Sequence, residues 1–462
     1  MTFTRRNIWT LSTPAKPWHP VILAYAKAAR AMQLLPITNP DSWAYQAAIH
    51  GLANTPPPPG APWNACQHAT WYFLPWHRMY LYQFERIVRK TVIAQGGPND
   101  WALPYWDYSA GAPSNAIPLP FRSAQLPDGS PNPLLVPARR TGINTGTALP
   151  AAVTSTTTAM NSPAFTTPLA GAPVGFGGPR TGFAHFGPAP GALENQPHNI
   201  VHVAVGGPGG LMSDPDTAAL DPIFWLHHAN IDRLWETWHL NGHTNDTTTK
   251  WTRHTFKLRD DTGTAVTMRV DGVLDITAQL DYTYDVLPAV AASTPPGAPA
   301  MPSKKVATVG KTAAAVHVPR DGATATVSVG ELPGLGAAAS GRRRQFHLDL
   351  ADIEGPANPG VVYGVYVNLP ANPNDADLQA HLAGVVAFFG IEHSTTARKT
   401  GAAQPLRYSF DVTDLVERLH AAGDAAELRV ALLPIAGTED SSAAAAADDT
   451  SVKVGTISLL SS

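Results

Sequence analysis

The chain has 462 residues, a net charge of −3 and only 15% charged residues, so it offers no basic footprint for nucleic acid. Hydrophobic residues make up 44%, yet no apolar run of about 18 residues occurs, which argues against a membrane-spanning helix. The single cysteine, Cys66, rules out a disulfide within the chain, so stability must come from burial.

Arg5 and Arg6 are followed by neither an apolar core nor a cleavage site, so the N-terminus is read as mature structure. That reading predicts a cytoplasmic protein, or one exported only with help. Residues 18–50 carry a helical pattern, with Ala24, Ala28, Met32 and Leu35 spaced for one buried face. Four prolines, Pro56 to Pro59, then set a rigid exposed loop. A strong helix is predicted over 73–89, with Pro75 in the first turn, where a missing N–H costs little. Residues 109–193 are rich in Pro, Gly, Ala and Thr and show almost no periodicity, so they are either mobile or wrapped over a scaffold. Helices are predicted again over 197–205 and 222–240. On the second, Leu226, Ile231, Leu234, Trp235 and Trp238 form the apolar side. A closing strand is predicted over 280–286.

The segment 288–303, PAVAASTPPGAPAMPS, reads as a linker. Beyond it the pattern alternates. Short strands are predicted at 306–309, 315–318, 325–329, 346–350, 361–367, 384–390, 406–412, 428–433 and 452–459, with a flexible hairpin tip at 441–449. Such a series predicts a β-sandwich or barrel.

Six histidines stand out in two sets of three. His50, His68 and His77 form the first; His68 and His77 flank an aromatic-rich run. His198, His202 and His228 form the second; His198 and His202 are four apart on one helix face. Neutral imidazoles suit copper, zinc, iron and nickel. Three per metal, without thiolate or carboxylate, fit copper that holds and releases oxygen, and two sets suggest a binuclear site. A zinc site would use one set and leave three ligands unexplained, and no H-E-x-x-H occurs. The remaining histidines, among them His239, His243, His347 and His393, lack such spacing and read as surface or structural. Trp71, Trp76, Trp225, Trp235 and Trp238 read as core packing.

The blocks FLPWHRMYLYQFE, PHNIVH and DPIFWLHHANIDRLW resemble the two copper motifs of the type 3 copper proteins, the tyrosinases, catechol oxidases and molluscan-type haemocyanins. The resemblance covers roughly residues 1–287, with no agreement across 109–185. More weakly, 300–462 resembles the C-terminal domain of latent polyphenol oxidases, through YGVYVNLP, LRYSFDVTDLVERL, LRVALLP and VGTISL. The implied fold is a mainly α core over 1–287, a four-helix bundle with long loops around a binuclear copper site, followed by the linker and an all-β sandwich over 304–462 that shields the site.

The resemblance implies that His50, His68 and His77 bind one copper and His198, His202 and His228 the other, with His227 supporting from behind. It implies a thioether from Cys66 to His68, and a water held by Glu194 and Asn199 that takes the proton of a phenol. It places the pocket entrance near Val203, Met212, Asp214 and Pro215. Because Val203 is not basic, a preference for carboxylated substrates is not supported. Phe388 and Phe389 are the candidates for a side chain plugging a latent site. Tyr282-Thr-Tyr284 resembles the motif that closes the core and is expected to pack on an N-terminal arginine such as Arg6. The implied activity is hydroxylation of monophenols and oxidation of o-diphenols to o-quinones, with two copper ions and dioxygen. A catechol oxidase or o-aminophenol oxidase is the alternative, and an oxygen carrier the rival class. Expected partners are a small phenolic substrate and a copper chaperone, with neither nucleic acid nor membrane.

Overall fold

A computed structural model describes residues 2–168, 174–287, 306–330, 332, 344–401, 404–438 and 451–462. The predicted linker 288–303 and the hairpin tip 441–449 lie outside the described residues. The first part of the chain is helical: α1 (Pro20–Gln33), α2 (Trp43–His50), α3 (Phe73–Ala94), α4 (Ile200–Gly206) and α5 (Pro222–Leu240). None of the described helices is long and apolar enough to cross a membrane.

The starts of α1, α2 and α5 have a local cause. Pro20 and Pro222 sit at the first helical positions, where the absent N–H has no partner to lose. Ser42 Oγ and an Asp221 carboxylate oxygen accept the orphan amides of Tyr45 (2.9 Å) and Ile223 (3.1 Å). The predicted 18–50 helix is two helices. Pro36 and Pro40 cannot continue the ladder, so α1 stops at Gln33 and Leu35 ends up 36% exposed. Ala28 and Met32 are buried as expected, with Ile22, Tyr25 and Ala29 beside them. Helix α5 is buried nearly all round, and all five tryptophans read as core are at most 2% exposed.

The described residues of the unpatterned stretch, 109–168 and 174–193, wrap the bundle. Single turns at Leu119–Phe121, Ile143–Thr145 and Ala151–Thr154 bury Phe121, Ile143 and Val153 in the helical core. Arg139 clamps it with two bonds to the Asp221 carboxylate, 2.7 and 2.8 Å, both side chains fully buried.

The two ends of the helical region meet in a parallel pair, β1 (Phe3–Arg5) with β2 (Tyr282–Tyr284). The arginine on the Y-x-Y pair is Arg5, not Arg6. Arg5 stands opposite Tyr284 and points inward, and strand alternation turns Arg6 away. The Arg5 guanidinium lies 3.8 Å over the Tyr282 ring and 2.6 Å from Glu85. Asp232 takes Arg78 at 2.5 Å, Arg5 at 3.2 Å and both tyrosine hydroxyls at 2.5 Å. Burial pushes the Asp232 pKa up, but Arg78 and Arg5 outweigh it and hold it below the ordinary value.

The later part is β-rich: β3 (Ala307–Lys311), β4 (Val316–Val318), β5 (Ala323–Val329), β6 (Phe346–Glu354), β7 (Tyr363–Val367), β8 (Leu382–Val386), β9 (Leu406–Asp411), β10 (Glu427–Pro434) and β11 (Val452–Ser461). Each predicted strand segment overlaps one of them, but the strand predicted over 384–390 runs over Leu382–Val386, and residues 387–390 lie in the turn after it. They share one antiparallel sheet in the order β8-β7-β10-β5-β3-β11-β6-β9, with β4 also on β11. A Cβ on Gly384 in β8 would collide with the Phe410 ring of β9, so the two ends of the sheet curl toward each other as in a barrel. Three helices accompany the sheet: α6 (Asp375–His381), α7 (Ile391–Lys399) and α8 (Thr413–Ala421).

Asp232→Asn leaves two buried guanidinium groups facing a neutral amide. It should lower stability by about 3–5 kcal/mol in urea unfolding. A loss under about 1 kcal/mol would mean that the network does not hold the helical region closed.

Candidate metal centre

His50 ends α2, His68 lies in the loop before α3, and His77 is one turn into α3. Their ring centroids lie 5.1–5.6 Å apart. His198 ends the turn Glu194–Asn199, His202 lies on α4 and His228 on α5. His228 Nε2 is 3.3 Å from Nε2 of both His198 and His202. The two triads touch where His77 and His228 stack, 4.5 Å and 11° apart. All six rings are at most 4% exposed.

Second partners fix how these rings present themselves. Nδ1–H donates to a backbone carbonyl from His50 (Pro215, 2.7 Å), His77 (Phe73, 2.8 Å) and His202 (Met212, 2.8 Å), and from His198 to Asn199 Oδ1 (2.8 Å). Each therefore turns an Nε2 lone pair inward. Burial drives all six pKa values down, that of His50 to about 4, so the rings are neutral near neutral pH. Nε2 of His50, His68 and His77 is buried with no hydrogen-bond partner among the described residues. At the other triad His228 can donate to only one of its two neighbours, so lone pairs meet at 3.3 Å. Buried acceptors facing acceptors need a cation between them. The donor set is imidazole alone, which suits copper.

His227 lies beside the second triad, its ring 5.3 Å from His198 and 5.6 Å from Tyr108. The Cys66 sulfur is buried and within 4.8 Å of ring nitrogens of both His50 and His68. Glu194 does not share a regular helix with His198. Gln196 leaves helical geometry, and the wide turn sends Glu194 back to accept the Ala69 amide at 2.6 Å. Its other oxygen, Oε2, is buried and unpartnered among the described residues, and burial lifts the carboxyl pKa to about 8.

A cavity of about 10 Å³ lies beside the histidines, room for roughly one water. His68, Ala69, Phe186, Pro190, Glu194 and Asn199 line it from the helical region, and Phe389, Ser394, Leu406 and Tyr408 from the β-rich one. None of the four residues expected at the rim lines this cavity, although a Cβ on Gly390 would lie 3.2 Å from the Pro215 ring, which sits beside the turn that carries Phe389. Val203 is fully buried in the helical core, while Met212 and Pro215 contribute the carbonyls that orient His202 and His50. Gly51 permits that approach, since a Cβ there would lie 2.6 Å from the Pro215 oxygen.

The two plug candidates part ways. Phe388 turns into the β-rich core against Tyr363 and Tyr408. Phe389 stacks on His202 at 4.4 Å and lies 5.5 Å from His68. Gly390 turns the chain behind it with φ of +71°, and a Cβ there would lie 3.0 Å from Phe186. Hydrogen bonds from Arg407 N to Pro188 (2.8 Å), Asn358 to Ser213 (3.0 Å) and Asn195 to Val385 (3.2 Å) join the two regions around it.

Sequence reasoning missed Phe186, Leu406, Tyr408 and His393. His393 is not an idle surface group: it stacks on Phe186 at 4.7 Å and faces Asp214 and Asp216. No local pattern marks these residues, because their partners are far away in the chain.

Comparison with known proteins agrees with this geometry. Residues 40–241 match the common central domain of tyrosinase, and 301–462 match a domain of unknown function, DUF7868. A tyrosinase of Hahella sp. (strain CCB-MM4) is 35% identical, covering 99% of this chain and 98% of its own. The latent form of a polyphenol oxidase from Prunus armeniaca is 30% identical over 89% of this chain and 70% of its own. In fold, the chain is similar to latent apple tyrosinase over 100% of its length and 97% of the other's, with a TM-score of 0.62 at 22% identity. Six buried imidazoles in two triads, together with a full-length relative at this identity, place the chain in the tyrosinase/polyphenol oxidase family of binuclear copper oxidoreductases.

Proposed function

We propose that this protein is a tyrosinase in the full sense, hydroxylating monophenols to o-diphenols and oxidising o-diphenols to o-quinones with dioxygen, and that its β-rich region holds it latent. The observation that carries both halves is the small cavity, with Glu194 and Asn199 on one wall and Phe389 on another. His50, His68 and His77 would hold one copper and His198, His202 and His228 the other. When bound, the pair supplies the two-electron exchange between phenol and dioxygen.

The protein's own residues do the remaining work. A phenol near pKa ~10 is a poor ligand until deprotonated. A water in the cavity meets the unpartnered Glu194 Oε2, and the Ala69 amide fixes the carboxylate that would orient it. Asn199 anchors His198 and lines the same space, so water and ligand are positioned together. The water then takes the phenol proton as the oxygen approaches the metals. The Phe389 ring supports latency, since a flat ring stacked on His202 competes for the place a phenol ring would take. The Cys66 sulfur, beside His68, supports the thioether. Bond formation there would remove one hydrogen from sulfur and one from the ring, with dioxygen taking the two electrons, and would fix a ring neither of whose nitrogens has a hydrogen bond among the described residues.

Four measurements test this reading. Proteolysis within 288–303 should raise oxygen uptake with catechol by about tenfold or more, as for a site open under a tenth of the time. Unchanged uptake would remove latency, and reversible oxygen binding without turnover would make the protein a carrier. In the intact chain Phe389→Ala should raise uptake similarly, whereas Phe388→Ala should cost about 3–5 kcal/mol of stability without opening the site. Glu194→Gln should lower the ratio of monophenol to catechol turnover by about 10²-fold; an unchanged ratio would exclude the proposed water. Mass spectrometry of the peptide spanning 66–68 from copper-loaded protein should find it lighter by two hydrogens, and a full-mass peptide with a free thiol would rule out the thioether.

A further inference from the structure

The β-rich region places two rings, not one, on the helical region. Phe389 stacks on His202 at 4.4 Å, and His393, four residues on, stacks on Phe186 at 4.7 Å and 8°. Phe186 in turn stacks on His68 at 5.5 Å, so both covered faces belong to one continuous site. Around His393 the helical region supplies only acid. His393 Nε2 lies 3.7 Å from Asp214 Oδ1 and 3.6 Å from Asp216 Oδ2. Glu392 of the β-rich region lies at 3.7 Å. No Lys or Arg lines the cavity among the described residues.

The cage is built in advance of its occupant. Asp214 Oδ1 accepts the Asp216 amide at 2.8 Å, which fixes the turn. Pro215, between the two acids, accepts from His50 at 2.7 Å, tying the cage to the metal site. The aromatic face of Phe186 completes a box of one ring and two carboxylates, the chemistry that recognises an organic cation. Burial opposes a charge on His393, yet the surrounding acids raise its pKa above the ordinary value, so the cage favours the cationic form of the ring it receives.

We propose that Phe186, Asp214 and Asp216 form a subsite for a cationic group on the phenolic substrate, and that Phe389 and His393 together imitate such a substrate, ring on His202 and cation in the cage. The inference rests on the reading that the β-rich region covers the active site. It selects phenols bearing an amine over neutral or carboxylated ones.

The test uses the copper-loaded full chain carrying Phe389→Ala and His393→Ala, which empties both places without removing any part of the fold. Oxygen uptake is compared for dopamine, its butylamine homologue, catechol and dihydrocaffeic acid. One of the two amines should exceed catechol by about tenfold in kcat/KM, chiefly through KM, with the advantage shrinking as salt is raised. Dihydrocaffeic acid should be the poorest. Adding Asp216→Asn should lower the amine-to-catechol ratio several-fold, and Asp216→Lys should turn the preference toward dihydrocaffeic acid. Turnover of all four substrates without preference for either amine, or a ratio indifferent to Asp216, would overturn the subsite and leave the proposed oxidase standing. No turnover of any catechol would overturn both.

Discussion

Lone pairs buried face to face are the constraint on which the rest of this structure depends. Four of the six imidazoles spend Nδ1–H on an oxygen supplied by the fold, and what is left of them points inward from three helices and one turn. Without a cation that arrangement would be costly, and the surrounding structure makes it unavoidable. Helices α3 and α5 carry a ligand each, and the loop 211–216 supplies two of the orienting carbonyls. The aromatic packing around them excludes water, which both lowers the imidazole pKa values and strengthens any charge placed between them.

The Arg5–Asp232–Arg78 network keeps this cage from opening at its far end. It joins the first strand, α3, α5 and the strand that ends the helical region, so the two chain ends of that region are held by one carboxylate. Above the site the β-rich region contributes a turn rather than a surface. Phe389, Gly390 and His393 enter as a unit, and two facing carboxylates and two aromatic platforms receive them. The turn and the face that receives it therefore meet through two ring stacks and through His393 set against two carboxylates.

Much of this was legible in the sequence, and the reason is local. Helical periodicity, capping residues and strand alternation are short-range signals, so the long helices 73–94 and 222–240 and every strand segment of the β-rich region could be anticipated. The six histidines stood out because most of them lie in or beside aromatic-rich helical segments. What failed to show depends on contacts distant in the chain. Residues 109–193 have no period because they are shaped by the surface they wrap. Arg5 and Arg6 are equivalent as letters, and only strand register decides which one points inward. Phe388 and Phe389 are likewise indistinguishable until the turn at Gly390 sends one to each side. Met212 and Pro215 matter through carbonyls, which side-chain identity does not reveal, and His393 acquires its role only from acids far earlier in the chain.

Diffraction from copper-loaded full-length protein, with anomalous scattering at the copper edge, tests the central claim most directly. The account predicts two peaks, one enclosed by Nε2 of His50, His68 and His77 and one by Nε2 of His198, His202 and His228, with the Phe389 ring still stacked on His202. A single peak, a copper bound through His227 in place of His228, or a Phe389 ring turned away from the metals would contradict it.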